Sequence, residues 1–227
     1  MQSIQWQYIF DPELALESLP FILRGVPYTL GIALTSTMLG IVIGMILALM
    51  RLSEFKVLRW AARLYISFMR GTPTLVFLFL IYFGLPFAGI QFNALTSAII
   101  CFSLNAAAYI SEILRSALSS VAKGQWEAAA VLGLNPYVTM KKIILPQAVR
   151  IAIPPLSSVL LDVIKGTSLA AMITVNEIFQ NARIVGGREH DYMTMYILVA
   201  LVYWVICSIF SLLQDYLEQI SSRYIIN

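Results

Sequence analysis

Residues 25–50 read GVPYTLGIALTSTMLGIVIGMILALM, a run without a charged side chain that is bounded by Arg24 and Arg51. At a rise of ~1.5 Å per residue, a helix of this length exceeds the ~30 Å hydrocarbon core of a bilayer, so it can span a membrane with some tilt. Small residues recur in it every four positions, at Ser36, Gly40, Gly44 and Ala48. Such a stripe lets helix backbones approach closely, which predicts packing within the chain or, alternatively, against a second subunit.

The composition of the whole chain is typical of a membrane protein. Of its 227 residues, 59% are hydrophobic and 12% are charged, and the mean hydropathy is +0.82. A soluble globular protein carries about 25% charged residues. Four further apolar runs predict spans at about 65–86, 93–114, 151–173 and 192–214. We therefore expect an all-α integral membrane protein with about five transmembrane helices and one transmembrane domain over 25–218.

The distribution of basic residues predicts the orientation. The loop after the first span, the loop after the third span and the tail hold most of them: Arg51, Lys56, Arg59, Arg63, Arg115, Lys123, Lys141, Lys142, Arg150 and Arg223. Loops retained in the cytoplasm carry the excess of Lys and Arg. We therefore expect residues 1–24 to form an external N-terminal segment and residues 219–227 a cytoplasmic tail. The start of the chain is polar and acidic, which predicts no cleavable signal peptide.

The sequence lacks the motifs of several functional classes of protein. None of the five lysines follows a glycine, as a P-loop requires, and no GxSxG, HExxH, CxxC or Rossmann fingerprint occurs. His190 is the sole histidine, so a His-based metal site would have no partners. Cys101 and Cys207 lie within apolar runs, where a cysteine is most often a small hydrophobic residue. We expect no catalytic site, no metal, no cofactor bound by this chain and no nucleic-acid partner.

The polar segment 121–146 predicts a helical hairpin in the cytoplasm. Its first helix should end at Gly133, Asn135 and Pro136 should start a turn, and a second short amphipathic helix should end before Pro146. The alanines and glycine of the hairpin leave a flat surface. That surface is either a docking site for another protein or part of an ordinary structured loop.

The hairpin carries a spaced motif: Glu127-Ala128-Ala129, three residues, Gly133, nine residues, Ile143, one residue and Leu145-Pro146. This motif resembles the signature loop of ABC importer permeases at every fixed position. In that family the loop is the coupling helix, which sits in a groove of the ATP-binding subunit. The resemblance implies that these residues form the ATPase-coupling loop here: Gln125, Trp126, Glu127, Ala128, Ala129, Gly133, Ile143, Leu145 and Pro146.

The resemblance continues along nearly the whole chain. Further motifs follow in the order seen in polar amino acid permeases: Arg70-Gly71-Thr72-Pro73, Ala107-Ala108-Tyr109 with Glu112 and Arg115, Gly124-Gln125-Trp126-Glu127, Leu145-Pro146-Gln147-Ala148, and Lys165 with Thr167-Ser168-Leu169. Residues 50–53, 59–60, 63–67 and 83–86 resemble the cystine permeases most. The resemblance implies structural roles for Arg70, Thr72, Pro73 and Lys165, and places Ser158, Thr167 and Ser168 along the substrate pathway. Ser158 and Gly166 stand where the family usually has Asn and an acidic residue, and these departures either change the substrate site or reflect repacking.

Ionisable groups at membrane depth require a partner or a water-filled cavity, since a charge there costs roughly 2.5–3.5 kcal/mol even on insertion scales. Asp162 and Lys165 share a helix face, so they either neutralise each other or leave Asp162 to receive a substrate ammonium group. Asn105, Tyr109 and Glu112 share one face of the third span. Glu112 either pairs with Arg115 or faces the substrate. Our hypothesis is that Asn105, Tyr109 and Asp162 line the pathway.

A polar segment between the last two spans is predicted to lie outside. It contains Glu177, Gln180, Asn181, Arg183 and the cluster 188–191. Such a loop is either a solvated connection or a surface on which charged rim residues receive an extracytoplasmic solute-binding protein.

The resemblance implies a permease subunit of an ATP-driven importer in the bacterial cytoplasmic membrane, carrying polar amino acids, with L-cystine or a related amino acid as the solute. A separate subunit would use ATP, an extracytoplasmic solute-binding protein would deliver the amino acid, and a second permease, identical or similar, would complete the pathway. The alternative is a transporter or channel driven by an ion gradient, whose relay would have to use Asp162, Lys165 and Glu112. Five spans without an internal repeat fit poorly with inverted-repeat transporters.

Overall fold

The computed structural model describes residues 9–222, and within that range the chain is all-helical, without a β-strand. Arg223 and the rest of the predicted tail beyond it lie outside the described residues. The α-helices are α1 (Pro12–Leu23), α2 (Val26–Leu52), α3 (Lys56–Gly71), α4 (Thr74–Phe79), α5 (Ala94–Ser120), α6 (Lys123–Val131), α7 (Pro136–Thr139), α8 (Leu145–Gly166), α9 (Ile178–Glu189) and α10 (Tyr192–Ser222).

Short non-α helices extend three of these elements. A π-helical segment (Leu80–Gly84) and a 3₁₀ segment (Leu85–Ala88) follow α4, a π-helical turn (Met140–Ile144) joins α7 to α8, and a 3₁₀ segment (Thr167–Ile173) follows α8. The apolar helical path therefore continues where the α-helix itself stops.

Two compact units make up the described chain. Unit 1 contains residues 9–36, 73–102 and 162–210, and unit 2 contains residues 37–72, 103–161 and 211–222. In unit 1, buried side chains of α1, α9 and α10 form a core that includes Ile22, Ile178 and Met195. In unit 2, one core surrounds Ile144 and Ala148, and another joins Leu47, Ala62 and Ala107.

Within residues 9–222, four helical segments are long and apolar enough to cross a bilayer: Val26–Leu52, Ala94–Ser120, Pro136–Ile173 and Tyr192–Tyr216. A fifth candidate is a bent pair, Lys56–Gly71 with Thr74–Ala88. The predicted second span, 65–86, is thus not one helix. The helical segment begins earlier, at Lys56, and breaks at Thr72 and Pro73, where Thr72 has extended backbone angles and Pro73 lacks the N–H of a helix interior. Charge-free runs do not predict the start of α3, because its first half carries charged side chains.

The small-residue stripe of α2 packs within the chain, as one of the two interpretations predicted. A Cβ on Gly40 would lie 3.1 Å from Ala106 Cβ, and one on Gly44 would lie 2.8 Å from Ile110 Cγ2 and 3.0 Å from Ala107 O. In unit 2, α2 therefore approaches α5 more closely than a larger side chain permits.

Candidate functional site

The predicted hairpin begins with a helix that ends as expected. Helix α6 ends at Val131, and Gly133 follows with φ of +70°, in the left-handed region that glycine adopts without strain. Gly133 N–H donates to Ala130 O at 3.0 Å and Leu134 N–H to Ala129 O at 3.1 Å. These bonds satisfy carbonyl groups at the helix end and turn the chain.

The second half of the hairpin differs from the prediction at Pro146. Asn135 begins α7, since its side chain accepts a hydrogen bond from Val138 N at 2.9 Å. The helical path does not end before Pro146 but continues through the π-turn into α8, so that part of the prediction is wrong. Leu145 N–H donates to Met140 O, five residues back, and Pro146 then falls in the first turn of α8, where a missing N–H costs little.

The hairpin presents an apolar surface to its surroundings. Val131 is 88% exposed, Leu132 75% and Tyr137 70%. Of the predicted coupling residues, Gln125, Trp126, Glu127, Ala128, Gly133, Leu145 and Pro146 are exposed, Ile143 is half-buried, and Ala129 is buried. Ile144 and Val121 of the hairpin share one core with Ala117 of α5 and Ala148 of α8, which anchors the hairpin. A firmly anchored element with exposed apolar side chains is suited to receive another protein.

A cleft of about 540 Å³ in unit 2 collects two of the predicted pathway residues, Tyr109 and Glu112. Arg51, Arg63, Ile66, Ser67, Arg70 and Gly71 complete its lining. The Arg70 guanidinium lies over the Tyr109 ring, 5.5 Å from its centroid. Arg70, which was predicted to be structural, thus positions a predicted pathway residue.

Glu112 forms the ion pair with Arg115 that one interpretation predicted, at 3.0 Å. It also forms an ion pair with Arg51 that was not predicted from the sequence. The available signal was that Arg51 and Glu112 are the charges nearest the ends of two apolar runs predicted to reach the same side. Two guanidinium groups therefore compensate the charge of this carboxylate, and the one from Arg51 ties α5 to the end of α2.

Asn105 and Ser158 use their side chains for local hydrogen bonds in unit 2. The Asn105 amide donates to Met69 O at 3.2 Å, and Asn105 does not line the cleft beside Tyr109. The exposed Ser158 hydroxyl donates to Pro154 O at 3.4 Å. Thr72 ends α3 by donating its N–H to Phe68 O at 3.0 Å, and Pro73 precedes α4.

In unit 1, Asp162 and Lys165 form the ion pair that one of the two interpretations predicted, at 2.8 Å, and the side chain of Asp162 is 73% exposed. The buried Thr167 hydroxyl donates to Ile164 O at 2.7 Å, and the Ser168 hydroxyl donates to Lys165 O at 2.8 Å. Asp162 thus has a charge partner and still presents its carboxylate outside the core.

Glu177 and Asn181 are not solvated loop residues, which corrects the prediction for this segment. Most of the segment is helix α9, and Glu177 is fully buried. Its carboxylate caps α9 by accepting from Phe179 N at 2.9 Å and Gln180 N at 2.7 Å, and it accepts from Tyr203 Oη at 2.8 Å. The Asn181 amide donates to Phe21 O at 3.1 Å, whereas 188–190 are exposed.

Burial of Glu177 raises the pKa of its carboxyl group, although the hydrogen bonds from the two backbone N–H groups and from Tyr203 favour the charged form. The sequence offered no signal for this cluster, because its members come from distant parts of unit 1. Thr29 Oγ1, for example, accepts from Ile178 N at 3.4 Å. The cluster therefore joins the segment between the last two apolar helices to α2.

Residues 40–221 match the family model described as the binding-protein-dependent transport system inner membrane component. The chain is 60% identical over 225 residues to the probable amino-acid ABC transporter permease protein YckA of Bacillus subtilis strain 168, covering 99% of this chain and 100% of the relative. It is 42% identical over 207 residues to the L-cystine transport system permease protein TcyB of the same organism, covering 91% and 88%.

A solved structure, the crystal structure of an amino acid ABC transporter with histidines, is also similar. One of its chains aligns with a TM-score of 0.88 at 31% identity, covering 92% of this chain and 98% of that one. The family model, these relatives and the aligned fold thus define a class, the permease subunits of ABC importers. The chain belongs to the family of binding-protein-dependent transport system inner membrane components.

Family membership settles several expectations at once. The chain is a multi-pass permease subunit of an amino-acid ABC transporter in the bacterial inner membrane, and it is not itself an enzyme. An ABC permease implies an ATP-binding subunit. A transporter driven by an ion gradient would need Glu112, Asp162 and Lys165 as its relay. The structure does not support this alternative, because Glu112 pairs with two arginines and Asp162 pairs with Lys165.

Proposed function

We propose that this permease carries L-cystine or a closely related polar amino acid. The identity of 42% to a permease named for L-cystine transport, together with the cystine-type motifs at 63–67 and 83–86, supports this substrate class. The relative at 60% identity is named for amino acids in general, so the substrate has to be measured.

The hairpin at 121–146 is the element through which the ATP-binding subunit drives this chain. The observation that carries this proposal is the exposed surface of Val131, Leu132 and Tyr137 on a hairpin that the Ile144 core holds firmly. Closure of the ATP-binding subunits would push on this surface and switch the pathway between its inward-facing and outward-facing states. The chain itself binds no ATP or other cofactor in this scheme.

The complete importer contains two permease subunits, either two copies of this chain or this chain with a similar one, and an extracytoplasmic solute-binding protein. In this proposal the N-terminal segment faces outward and the C-terminal tail faces the cytoplasm, following the excess of Lys and Arg. The exposed cluster at 188–190 then lies on the side that receives the binding protein.

Asp162 is the candidate pathway residue that would receive the substrate ammonium group. The other candidates are Asn105, Tyr109, Glu112, Ser158, Thr167 and Ser168. Because Asp162 also pairs with Lys165, its two roles have to be separated. If Asp162 only neutralises Lys165, the double variant Asp162→Leu/Lys165→Met transports normally. If it binds substrate, Asp162→Asn and the double variant both raise KM about tenfold or more, as expected for the loss of a charge-assisted contact. Normal transport by both would contradict the proposal.

The substrate is tested by reconstituting the permease with its ATP-binding subunit and its binding protein in liposomes. Uptake of labelled cystine, arginine, glutamine and histidine is measured at equal concentrations, with binding to the free binding protein as the control. We expect cystine to be taken up fastest. Preferred uptake of one of the other three would replace cystine as the substrate and leave the permease function intact.

A further inference from the structure

Helix α3 has a stripe of positive charge along one side. Lys56, Arg59, Arg63 and Arg70 follow one another at spacings of three, four and seven residues. At ~100° per residue these positions fall within an arc of about 60°. Helix α3 contains no acidic residue. The stripe is therefore a uniformly cationic surface four side chains long.

A second stripe of α3, next to the first, is apolar and exposed. Val57 is 78% exposed, Trp60 67%, Leu64 55% and Phe68 48%. The third side of the helix anchors it, since Ala62, Ile66 and Met69 are buried in unit 2. Helix α3 is thus held by one face and presents a cationic face beside an aromatic and aliphatic one.

Two clefts flank the cationic stripe, and Arg63 lines both of them. One, of about 430 Å³, is lined by Lys56, Val57, Arg59, Trp60 and Arg63. The other is the cleft of about 540 Å³ that also contains Ser67 and Arg70. Both clefts therefore open beside guanidinium groups, which suit bidentate binding of phosphate oxygens.

The four cations of the stripe differ in whether they already interact with other groups of the protein. The Arg59 guanidinium donates to Ser53 O at 2.9 Å and to Glu54 O at 3.1 Å, and Arg70 lies over Tyr109. Lys56 and Arg63 are exposed and have neither a hydrogen bond nor an ion pair among residues 9–222. Two of the four cations are therefore free to bind an external anion.

We propose that α3 is an interfacial helix that binds the headgroup of an anionic phospholipid. Lys56 and Arg63 contact the phosphate, and Trp60 and Leu64 lie at the boundary of the acyl chains. A basic face beside a Trp-, Phe- and Leu-containing face is the arrangement by which helices lie in the plane of a bilayer interface. An anionic leaflet attracts each basic residue near its surface.

A second copy of this chain fits this surface less well. A two-fold interface would set the same patch against itself, so that the cations of the two stripes would repel one another. An anionic lipid supplies the missing negative charge and covers the apolar stripe with its acyl chains. The proposal goes beyond the transport function, because it depends neither on the substrate nor on the ATP-binding subunit.

The test is native mass spectrometry of the full-length chain released from detergent. It is titrated with phosphatidylglycerol or with phosphatidylcholine of the same acyl chains, and with glycerol phosphate as the free headgroup. We expect wild type to retain phosphatidylglycerol about tenfold better than phosphatidylcholine. The variant Lys56→Gln/Arg63→Gln should lose most of that preference, and Lys56→Arg/Arg63→Lys should keep it.

The matched control is Lys141→Gln/Lys142→Gln, which removes two exposed cations elsewhere in unit 2. Equal loss of phosphatidylglycerol in the control would reduce the effect to net charge and overturn the proposal. Equal retention of the two lipids by wild type, or equal binding of glycerol phosphate, would also overturn it. A change from dimer to monomer in the Lys56→Gln/Arg63→Gln variant with lipid preference intact would assign the stripe to a second copy instead.

Discussion

A glycine at position 133 can serve the backbone conformation of the chain or the contact with a partner subunit, and the local structure distinguishes these two roles. The φ of Gly133 is +70°, and a Cβ added to it would meet nothing within 4 Å. Asp tolerates the left-handed region better than most residues, so the chain itself should accept Gly133→Asp at a small cost. If the ATP-binding subunit closes on this position, the added carboxylate should nevertheless abolish coupling.

We therefore expect Gly133→Asp to insert in the membrane and melt close to wild type, but to lose substrate-stimulated ATPase activity in the assembled importer. The matched control is Gly89→Asp, because Gly89 has φ of +78° and equally open space but lies outside the hairpin. The control should retain stimulation. Full stimulation of Gly133→Asp, or equal loss in both variants, would contradict docking at the hairpin.

Glu177 predicts a pH dependence of stability. Burial raises the pKa of its carboxyl group above the ordinary 4.5, so the folded state favours the protonated form. A group with a raised folded-state pKa contributes stability that is fully present below its unfolded pKa and is lost as the pH rises through its folded pKa. Glu177→Gln resembles the protonated form at every pH.

The measurable quantity is the difference in Tm between wild type and Glu177→Gln in detergent. We expect the Tm of wild type to fall relative to that of Glu177→Gln as the pH rises from 4. The difference should level off above the raised pKa of Glu177. Tyr203→Phe is the companion variant. Removing a hydroxyl that donates to the carboxylate should raise the pKa of Glu177 further, so the Tm difference should go on changing to a higher pH. A difference that does not vary with pH would show that Glu177 titrates normally.

At the scale of elements, the contact between α2 and α5 depends on Gly44. The Cβ of an alanine there would lie 3.0 Å from the carbonyl oxygen of Ala107, a backbone atom that cannot move aside cheaply. We expect Gly44→Ala to lower the free energy of unfolding by about 1–3 kcal/mol, as overpacking does. Thermal melting of the full chain in detergent measures the effect.

Gly31 on the same helix is the control, since a Cβ there meets nothing within 4 Å. Gly31→Ala should stabilise the helix by about 0.4–1 kcal/mol, because it restricts the unfolded chain without a clash. The two substitutions are chemically identical and should act in opposite directions. Equal effects would mean that helix propensity, and not packing of α2 on α5, decides the stability of this element.

The accuracy of the sequence predictions depended on whether the signal was local. The long helices α2, α5 and α10 follow from apolar runs, and the end of α6 follows from Gly133, because each signal is contained within a few turns. The start of helix α3 was not predicted, because its charged stripe interrupts the apolar pattern. The helix end predicted before Pro146 was wrong, because the π-turn before this proline lets the helical path continue.

The unpredicted parts of the site depend on contacts between distant residues. Arg51 reaches Glu112 across 61 positions, and Tyr203 reaches Glu177 across 26. No periodicity encodes such partners, so a polar residue such as Glu177 resembled part of a solvated loop. The ion pair of Asp162 with Lys165 was foreseen because i and i+3 are neighbours on any α-helix.

For the whole molecule, the central claim is that a separate ATPase drives amino acid uptake through this chain by way of the hairpin at 121–146. The most direct measurement is uptake of labelled amino acid into liposomes that contain the permease with its ATP-binding subunit. The binding protein is placed outside, and ATP, a non-hydrolysable analogue or a proton or sodium gradient is supplied in turn. We predict uptake with ATP alone, and loss of that uptake in Gly133→Asp. Uptake that ignores ATP and follows an ion gradient would contradict the account.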